Sequence, residues 1–270
     1  MISSRSIAHG NGWSIEDVIC RSGPADRRFE ERHSRVSIAA VISGSFRYRC
    51  DAGSELLHPG ALLLGNPGSC FECGHEHSRG DRCIAFHMDV TMFEEMSSSV
   101  TGTAKFRFPR AMMPAMPELL PTLVEIEALA GATRDLAAQS LVVRLAERVG
   151  ETFVGKQARR SSLGAGEEKR ISAALHHLES RASEDVDLDL LAGIACMSKY
   201  HFLRVFRRIT GVTPYKYLLG LRMRQAALAL RGTNKPVSAV AFDAGFGDLS
   251  TFNHRFKQTF GATPTAFRQA

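Results

Sequence analysis

The sequence contains no apolar run as long as the roughly eighteen residues that a membrane-spanning helix needs. Its first ten residues lack the basic start and apolar core of a secretory signal peptide. Cysteine is scarce, with six residues spread over 270, a usage typical of reduced thiols rather than of a secreted disulfide framework. We therefore expect a cytoplasmic protein without structural disulfides.

Acidic residues are nearly absent from the end of the chain. From Ser198 onward only Asp243 and Asp248 are acidic, against twelve Lys and Arg residues. Residues 167–270 carry 15 basic and 9 acidic residues, whereas residues 1–166 carry 19 of each, so the formal net charge of +6 (15 − 9, against 19 − 19) lies entirely in the C-terminal part. Such asymmetry favours a phosphate-contacting surface, with a solvated basic face as the alternative. The length also predicts two domains.

Two segments near the C-terminus repeat one pattern. Five residues of the first segment recur fifty positions later, and two alanines recur forty-nine positions later; the pairs are Phe202 and Phe252, Phe206 and Phe256, Gly211 and Gly261, Thr213 and Thr263, Pro214 and Pro264, Ala192 and Ala241, and Ala195 and Ala244. Each copy reads as a short apolar helix, a tight turn and a longer helix with basic and small polar residues. This pattern predicts helix-turn-helix motifs at 188–209 and 237–260, and two such motifs in tandem imply a duplex DNA ligand.

The longer helix of each copy has a phenylalanine stripe that predicts its buried face and thereby its exposed one. The residues expected to bind DNA are Ser198, Lys199, Tyr200, Leu203, Arg204, Arg207 and Arg208 in the first copy, and Ser250, Thr251, Asn253, His254 and Lys257 in the second. Arg204 is expected to hold a guanine, and Asn253 matches the edge of an adenine. Ser198 and Asp248 are expected to cap the two helices.

A single helix is predicted between the two motifs, from Pro214 to Leu230, because Pro suits a helix start and apolar residues recur about every four positions. Lys216, Arg222 and Arg224 lie on this connecting helix. They are expected either to contact the DNA backbone or to lie on a solvated face.

The N-terminal part alternates short apolar stretches with Gly, Pro and Asn from Trp13 to about Met88, which predicts an antiparallel β-barrel or sandwich with room for a small ligand. After Pro109 the apolar spacing becomes helical and predicts a hairpin of two helices, which either forms a dimer interface or covers its own β domain. The predicted divisions are a β sensor domain at 1–110, a helical hairpin at 111–155, a polar linker at 156–166 and a DNA-binding domain at 167–270.

From residue 167 to its end the sequence resembles the AraC/XylS family of bacterial transcription regulators. The resemblance is carried in the first copy by Leu191-Ala192, Ser198 and Arg204-Val205-Phe206-Arg207, in the connecting segment by Gly211, Pro214, Tyr217-Leu218 and Arg222, and in the second copy by Ala241, Gly245-Phe246, Ser250, Phe252, Phe256-Lys257, Gly261, Pro264 and Phe267-Arg268. One departure is His254, where the family usually has Arg.

The resemblance implies an α+β chain: an N-terminal cupin-like antiparallel β-barrel with a helical hairpin, followed by an all-α C-terminal domain with two helix-turn-helix motifs. It implies a sequence-specific transcription regulator that answers a small-molecule effector through its N-terminal domain. The implied partners are double-stranded promoter DNA, RNA polymerase and a second copy of the chain, with no membrane.

A group of cysteine and histidine residues offers an alternative function. Cys70, Cys73, His75 and His77 could supply soft and imidazole ligands to a transition metal, which would make the chain a metal- or thiol-sensing regulator. No second Cys-x-x-Cys pair accompanies them, and strand alternation would separate some of these side chains. A cupin-type enzyme fused to a DNA-binding domain is a further alternative. We favour a regulator that is not an enzyme and has no cofactor or metal.

Overall fold

The computed structural model describes residues 2–23, 25–26, 28–75, 80–101, 107–129, 135–153 and 165–269. Its strands are β1 (Ile2–Gly10), β2 (Trp13–Cys20), β3 (Phe29–Arg32), β4 (Val36–Ser43), β5 (Phe46–Cys50), β6 (Gly53–Leu57), β7 (Leu62–Gly65), β8 (Cys70–Gly74), β9 (Asp81–Met88) and β10 (Met112–Met113). The N-terminal helices are α1 (Val90–Thr101), α2 (Leu120–Leu129), which follows a short 3-10 turn at Pro117–Leu119, and α3 (Asp135–Phe153).

The remaining helices form the C-terminal part. They are α4 (Ala165–Ser180), α5 (Leu188–Ile194), α6 (Lys199–Thr210), α7 (Pro214–Gly232), α8 (Val237–Asp243), α9 (Leu249–Phe260) and α10 (Pro264–Gln269). This order confirms a β-rich N-terminal part followed by a helical domain with two helix-turn-helix units. No helix in the described part of the chain combines the length and apolarity that crossing a bilayer requires.

The strands form two antiparallel sheets that pack against each other. One sheet has the order β1-β2-β9-β4-β7-β10 and the other has the order β3-β8-β5-β6. Among the described residues the two sheets are not joined into one closed barrel, so the sandwich is the more accurate of the two sequence expectations. Apolar side chains such as Val41, Phe46, Tyr48 and Leu57 fill the space between the sheets.

Strand β4 explains why helices cover the outer face of the larger sheet. Its side chains alternate, as a strand requires, so that Ala39 and Val41 face the second sheet while Ile38, Ala40 and Ile42 pack among α1, α2 and α3. A strand that is buried on both faces reads as one apolar run, which is what the segment VSIAAVIS shows.

The helical hairpin covers its own β domain. The apolar stripe of α3, which includes Leu141, Val142, Leu145 and Val149, is buried in the core that α3 shares with the larger sheet. This outcome matches the second of the two sequence expectations for the hairpin. Residues 156–164 of the predicted linker lie outside the described residues, and α4 begins at the linker's last two positions.

Helix α1 was not predicted from the sequence. Its sequence, VTMFEEMSSSVT, is rich in serine and β-branched residues, which are weak helix formers. Phe93 is fully buried in the helix-sheet core and packs edge-on against Phe108, with ring centroids 5.3 Å apart. Tertiary packing of this ring therefore supports a helix that local propensity does not indicate.

Polar contacts join the two parts of the chain. Gly44 donates its amide to the carboxylate of Glu179 on α4 at 2.9 Å, and the Tyr217 hydroxyl on α7 donates to the Pro59 carbonyl at 3.0 Å. Arg224 on α7 donates to the Ile42 carbonyl at 2.7 Å. Helices α4 and α7 of the C-terminal part are thus held directly against the β domain.

Candidate nucleic-acid interface

The first helix-turn-helix consists of α5 and α6 and is built on a stripe of buried side chains. Phe202, Val205, Phe206 and Ile209 of α6 are buried, as their i, i+3, i+4 and i+7 spacing predicts. The rings of Phe202 and Phe206 lie 5.4 Å apart, and Phe206 meets Tyr217 of α7 edge-on. Because this face packs inside the protein, the opposite face of α6 is the one that can contact a ligand.

The second helix-turn-helix consists of α8 and α9 and is built in the same way. Phe252 and Phe256 of α9 are fully buried, as expected. Phe260, which the four-residue spacing from Phe252 and Phe256 predicts in the same buried stripe, is only half-buried and packs against Phe267 of α10. It lies at the end of α9, where its ring contacts Phe256 of the same helix and Phe267 of the short α10.

The turns of the two motifs share one hydrogen-bond pattern although their residues differ. Met197 donates its amide to Ala192 at 2.9 Å, and Phe246 donates to Ala241 at 3.1 Å. The residue before each donor has a positive φ, of 48° at Cys196 and of 85° at Gly245. Cysteine is strained in this conformation and glycine is not, so the first turn carries a local cost that the second avoids.

The extra residue in the second copy is Gly247, because the offset changes there from forty-nine to fifty. In each copy the residue directly before the longer helix, Ser198 or Asp248, is its N-cap residue. Asp248 accepts a hydrogen bond from the Thr251 amide at 2.7 Å and so caps α9, which confirms the expectation. Ser198 stands at the equivalent position before α6 but its hydroxyl makes no capping bond, so that expectation was wrong. A serine offers one oxygen in one rotamer, whereas an aspartate offers two oxygens.

The predicted DNA-binding side chains lie on the outer faces of α6 and α9. Leu203 is half-buried, and the other eleven are exposed: Ser198, Lys199, Tyr200, Arg204, Arg207, Arg208, Ser250, Thr251, Asn253, His254 and Lys257. Tyr200 is 87% exposed, unusually so for an aromatic side chain. The sequence pattern therefore brings two rows of polar and basic side chains to the surface.

Several basic groups of the first row are engaged within the protein. Arg208 pairs with Glu167 on α4, and His201 lies 3.5 Å from the same carboxylate. Arg204 donates to His201 Nδ1 at 3.0 Å, and Lys199 pairs with Asp189 at 2.7 Å. Exposed pairs of this kind contribute little free energy, so a phosphate group can replace the carboxylates at small cost.

Arg222 on the connecting helix has a structural role that the sequence did not reveal. Its guanidinium donates to three backbone carbonyls, those of Ala182 at 2.7 Å, Glu184 at 2.8 Å and Gly245 at 2.6 Å. The first two follow α4, and the third lies in the turn of the second motif. The side chain therefore ties the connecting helix α7 and the loop after α4 to the turn of the second motif, and it is not available to DNA.

Arg224 on the same helix is also used inside the protein. Besides its bond to the β domain, it lies 3.4 Å from the carboxylate of Glu127 on α2. Neither arginine could be assigned from spacing along α7, because their partners come from distant parts of the chain. Lys216 is the member of the expected trio that is exposed to solvent.

A cavity of about 180 Å³ lies where α7 meets the β domain and α2. Its lining is mostly apolar and includes Met116, Leu123, Leu219 and Met223, with Lys216 as a basic member. We expected room for a ligand within the β domain itself, and among the described residues a cluster of apolar side chains lies between its sheets. The cavity described here lies at the junction of the two parts of the chain.

The structure separates the cysteine and histidine residues that the sequence groups together. Cys70 is exposed and Cys73 is buried, because residues three apart on a strand point to opposite faces. His77 lies outside the described residues. His75 is buried and its Nε2 lies 2.6 Å from Asp81 Oδ2. The potential ligands that converge in space are Cys20, His75 and Asp81.

Comparisons with known proteins agree with this division of the chain. Residues 16–146 match the family model described as AraC-like ligand binding domain, and residues 191–270 match the helix-turn-helix domain model. The chain is 27% identical over 221 residues to the uncharacterized HTH-type transcriptional regulator YbfI of Bacillus subtilis (strain 168), which covers 81% of this chain and 78% of YbfI.

Two further relatives match a shorter stretch of the chain. The HTH-type transcriptional activator RhaS of Enterobacter sp. (strain 638) is 34% identical over 114 residues, which is 41% of each chain. The Transposon Tn10 TetD protein of Escherichia coli is 33% identical over 99 residues, which is 37% of this chain and 72% of TetD. The match to RhaS therefore spans less than half of that relative.

Proposed function

This chain belongs to the AraC family of DNA-binding transcription regulators and has a ligand-binding N-terminal domain, and we propose that the exposed faces of α6 and α9 are its two DNA-reading surfaces. The observation that carries this proposal is the placement of the two side-chain rows. Each row stands opposite a buried phenylalanine stripe, so it can be inserted into a groove without disturbing the core.

The two rows are proposed to contribute differently. The α6 row is more basic and includes Arg204, which can donate two parallel hydrogen bonds to guanine. The α9 row has Asn253, which matches adenine, and His254 where the family usually has Arg. Lys257 is proposed to contact a phosphate. We therefore expect most base discrimination from α6 and a larger share of backbone positioning from α9.

The test begins with selection of the preferred duplex from random DNA by the full-length protein. Affinities are then measured for that duplex and for its single-base variants. Arg204→Ala is expected to weaken binding by about 1 to 3 kcal/mol and to remove discrimination at one base pair, whereas Lys257→Ala should weaken all sequences alike. Arg144→Ala, which removes an exposed positive charge from α3, is the matched control. If Arg204→Ala keeps the base preferences of the wild type, the assignment of Arg204 is wrong.

The effector is proposed to bind in the cavity between α7 and the β domain. An occupant there would contact the β domain, α2 and the helix that connects the two reading units. A cavity of about 180 Å³ suits a compound with about one substituted ring, since an apolar cavity of about 150 Å³ holds benzene. Lys216 favours a compound that carries an anionic group. Ligand binding would then change DNA affinity by favouring one arrangement of α7.

A pair of variants at Gly220, which lines the cavity, tests this location. A Cβ at this position meets only Leu120 Cδ1 at 3.7 Å, so Gly220→Ala should be tolerated, whereas Gly220→Leu should fill space. We would measure DNA affinity with a panel of small aromatic and aliphatic carboxylic acids. A compound that acts on wild type and Gly220→Ala should lose its effect on Gly220→Leu. An unchanged response of Gly220→Leu would place the effector elsewhere.

A second copy of the chain and RNA polymerase remain predicted partners. Because the apolar stripe of α3 is buried in its own core, a dimer would use a different surface from that stripe. Sedimentation of the purified protein with and without DNA would give the oligomeric state. We propose no catalytic activity, and the expected location in the cytoplasm stays a prediction.

A further inference from the structure

Three metal-ligating side chains from separate parts of the sequence meet at one end of the β domain. Cys20 ends β2, His75 follows β8, and Asp81 begins β9. A sulfur, an imidazole nitrogen and a carboxylate oxygen from these residues all lie within 4.8 Å of one another. We propose that Cys20, His75 and Asp81 form a binding site for a thiophilic divalent metal ion of the Zn(II) type. This inference goes beyond the proposed DNA-binding function and does not depend on it.

The backbone places two of the three ligands side by side. Cys20 and Asp81 are directly opposed partners in the β2 and β9 pairing, so their side chains share one face of the sheet. Gly80 makes this approach feasible. It has a φ of 85°, and a Cβ built there would lie 2.1 Å from the Cys20 carbonyl oxygen. Another residue at this position would push the start of β9 away from Cys20.

The three groups are sheltered from solvent. Cys20 is 5% exposed, and the side chains of His75 and Asp81 are 2% and 9% exposed. Polar groups with so little access to water need partners inside the protein. The bond of 2.6 Å between His75 Nε2 and Asp81 Oδ2 provides one partner. The Cys20 sulfur lies beside this pair as a third potential metal ligand. A hydrogen bond between histidine and aspartate alone would not require a sulfur at this place.

The donor set and its spacing suit Zn(II). Zinc takes thiolate sulfur at about 2.3 Å and imidazole nitrogen or carboxylate oxygen at about 2.0 to 2.2 Å, usually in tetrahedral geometry. Two ligand atoms of such a site lie about 3.2 to 3.6 Å apart, by that geometry. Separations of up to 4.8 Å can therefore close onto one ion by small side-chain adjustments. The 2.6 Å between His75 Nε2 and Asp81 Oδ2 has to open to this spacing, so a bound ion would replace their hydrogen bond. A mixed sulfur and nitrogen set also disfavours Mg(II) and Ca(II), which prefer oxygen ligands.

A neighbouring thiol holds the carboxylate in position. Cys83 is two residues after Asp81 on β9 and therefore on the same face, and its thiol donates to Asp81 Oδ1 at 3.5 Å. The other oxygen, Oδ2, is the one directed at His75. Contacts of this kind fix the orientation of metal ligands and contribute to affinity. Cys83 is thus assigned as a positioning residue and not as a ligand.

The site has a route for entry of the ion. Cys20 and Asp81 line an open cleft of about 810 Å³ between the end of the β domain and α4. The cleft is also lined by Gly44 and Glu179, which form a hydrogen bond between the two parts of the chain. A bound ion would have three protein ligands and a fourth position open toward this cleft, where water or an external ligand can bind.

Metal binding is measured directly on the full-length protein after treatment with a chelator. Co(II) is titrated as a spectroscopic substitute for Zn(II), and thiolate coordination is followed by its charge-transfer absorption. Wild-type protein is expected to bind one equivalent of Co(II) with this band and to release it when Zn(II) is added. Zn(II) should also raise the melting temperature, because an ion that binds only the folded state stabilises it.

Variants separate this site from the group suggested by the sequence. Cys20→Ser is expected to abolish the thiolate band and to weaken metal binding by more than about tenfold. Cys70→Ser and Cys196→Ser, which change exposed cysteines, should bind like the wild type. Asp81→Asn provides the same test with the thiol intact, and it should weaken binding while the band is retained at saturation.

Two results would overturn the proposal. One is a Cys20→Ser protein that keeps the band and the affinity of the wild type. The other is loss of binding in Cys70→Ser, which would move the site to the cysteines of β8. Circular dichroism of each metal-free variant establishes that it is folded. If Cys20→Ser does not fold, Asp81→Asn decides, since unchanged affinity in that variant contradicts the assigned ligand set.

Discussion

His58 lies fully buried at the junction between the β domain and α7, and its protonation is expected to destabilise the folded chain. Its ring meets the Tyr217 ring edge-on, with centroids 5.5 Å apart, and its Nδ1 lies 3.2 Å from the Pro59 carbonyl oxygen. Its Nε2 has no hydrogen-bond partner among the described residues. Burial lowers the pKa of His58 from 6.5 to about 4, because the charged imidazolium is poorly solvated there, and the hydrogen bond to Pro59 opposes this only in part.

The sign of the pH dependence follows from this difference in pKa. Between about pH 6.5 and about pH 4 the unfolded chain binds a proton at His58 that the folded chain does not, so the free energy of unfolding falls as the pH is lowered. The full contribution is present above the unfolded pKa. With one pKa unit corresponding to about 1.4 kcal/mol, the loss from this residue between about pH 7 and about pH 5 is about 2 kcal/mol.

The assay is urea unfolding followed by circular dichroism at about pH 7 and about pH 5. His58→Phe keeps an aromatic ring beside Tyr217 but cannot bind a proton, so its loss of stability between the two pH values should be about 2 kcal/mol smaller than that of the wild type. His33, whose pKa burial also lowers to about 4, is present in both proteins and cancels in the comparison. Equal losses in the two proteins would refute the reasoning about His58.

Three further predictions concern the helical domain. Cys196→Gly should raise the free energy of unfolding by about 1 kcal/mol, because glycine adopts the φ of 48° without strain. Thermal unfolding measures this gain, and the control variant Cys196→Ala should show none. Arg222→Lys should lower the free energy of unfolding by about 3 kcal/mol, since an ammonium group cannot reach all three carbonyls. It should also weaken DNA binding. An unchanged melting temperature would contradict the structural role of Arg222. DNA affinity should fall steeply with salt, with a shallower slope for Lys257→Ala; equal slopes would mean that Lys257 contacts no phosphate.

Patterns that depend on periodicity were predicted correctly from the sequence. The stripe containing Phe202 and Phe206 repeats at helical spacing, so it specifies both a helix and its buried face without knowledge of what the helix packs against. The repeat of the same stripe at Phe252 identified the second motif. The capping of α9 by Asp248 was also predictable, because a cap depends only on residues within one turn.

Features that depend on contacts between distant residues were not predictable in this way. Arg222 and Arg224 read as ordinary basic residues on a helix, and their carbonyl partners become neighbours only when α4, α8 and β4 have packed. Helix α1 has weak local propensity and is supported by the burial of Phe93. The sequence grouped Cys70 with His75 because they are close along the chain, whereas the fold brings Cys20 to His75 instead.

The sequence by itself determined the helix-turn-helix pair, the residues of its outer faces and the concentration of positive charge beside them, because helical periodicity and charge are properties of short segments. Only the tertiary structure decided how α7 is clamped, where the apolar cavity lies and which metal-ligating groups converge. Those features depend on the pairing of strands and the docking of helices, which bring together side chains that are as many as 182 residues apart, as Arg224 and Ile42 are.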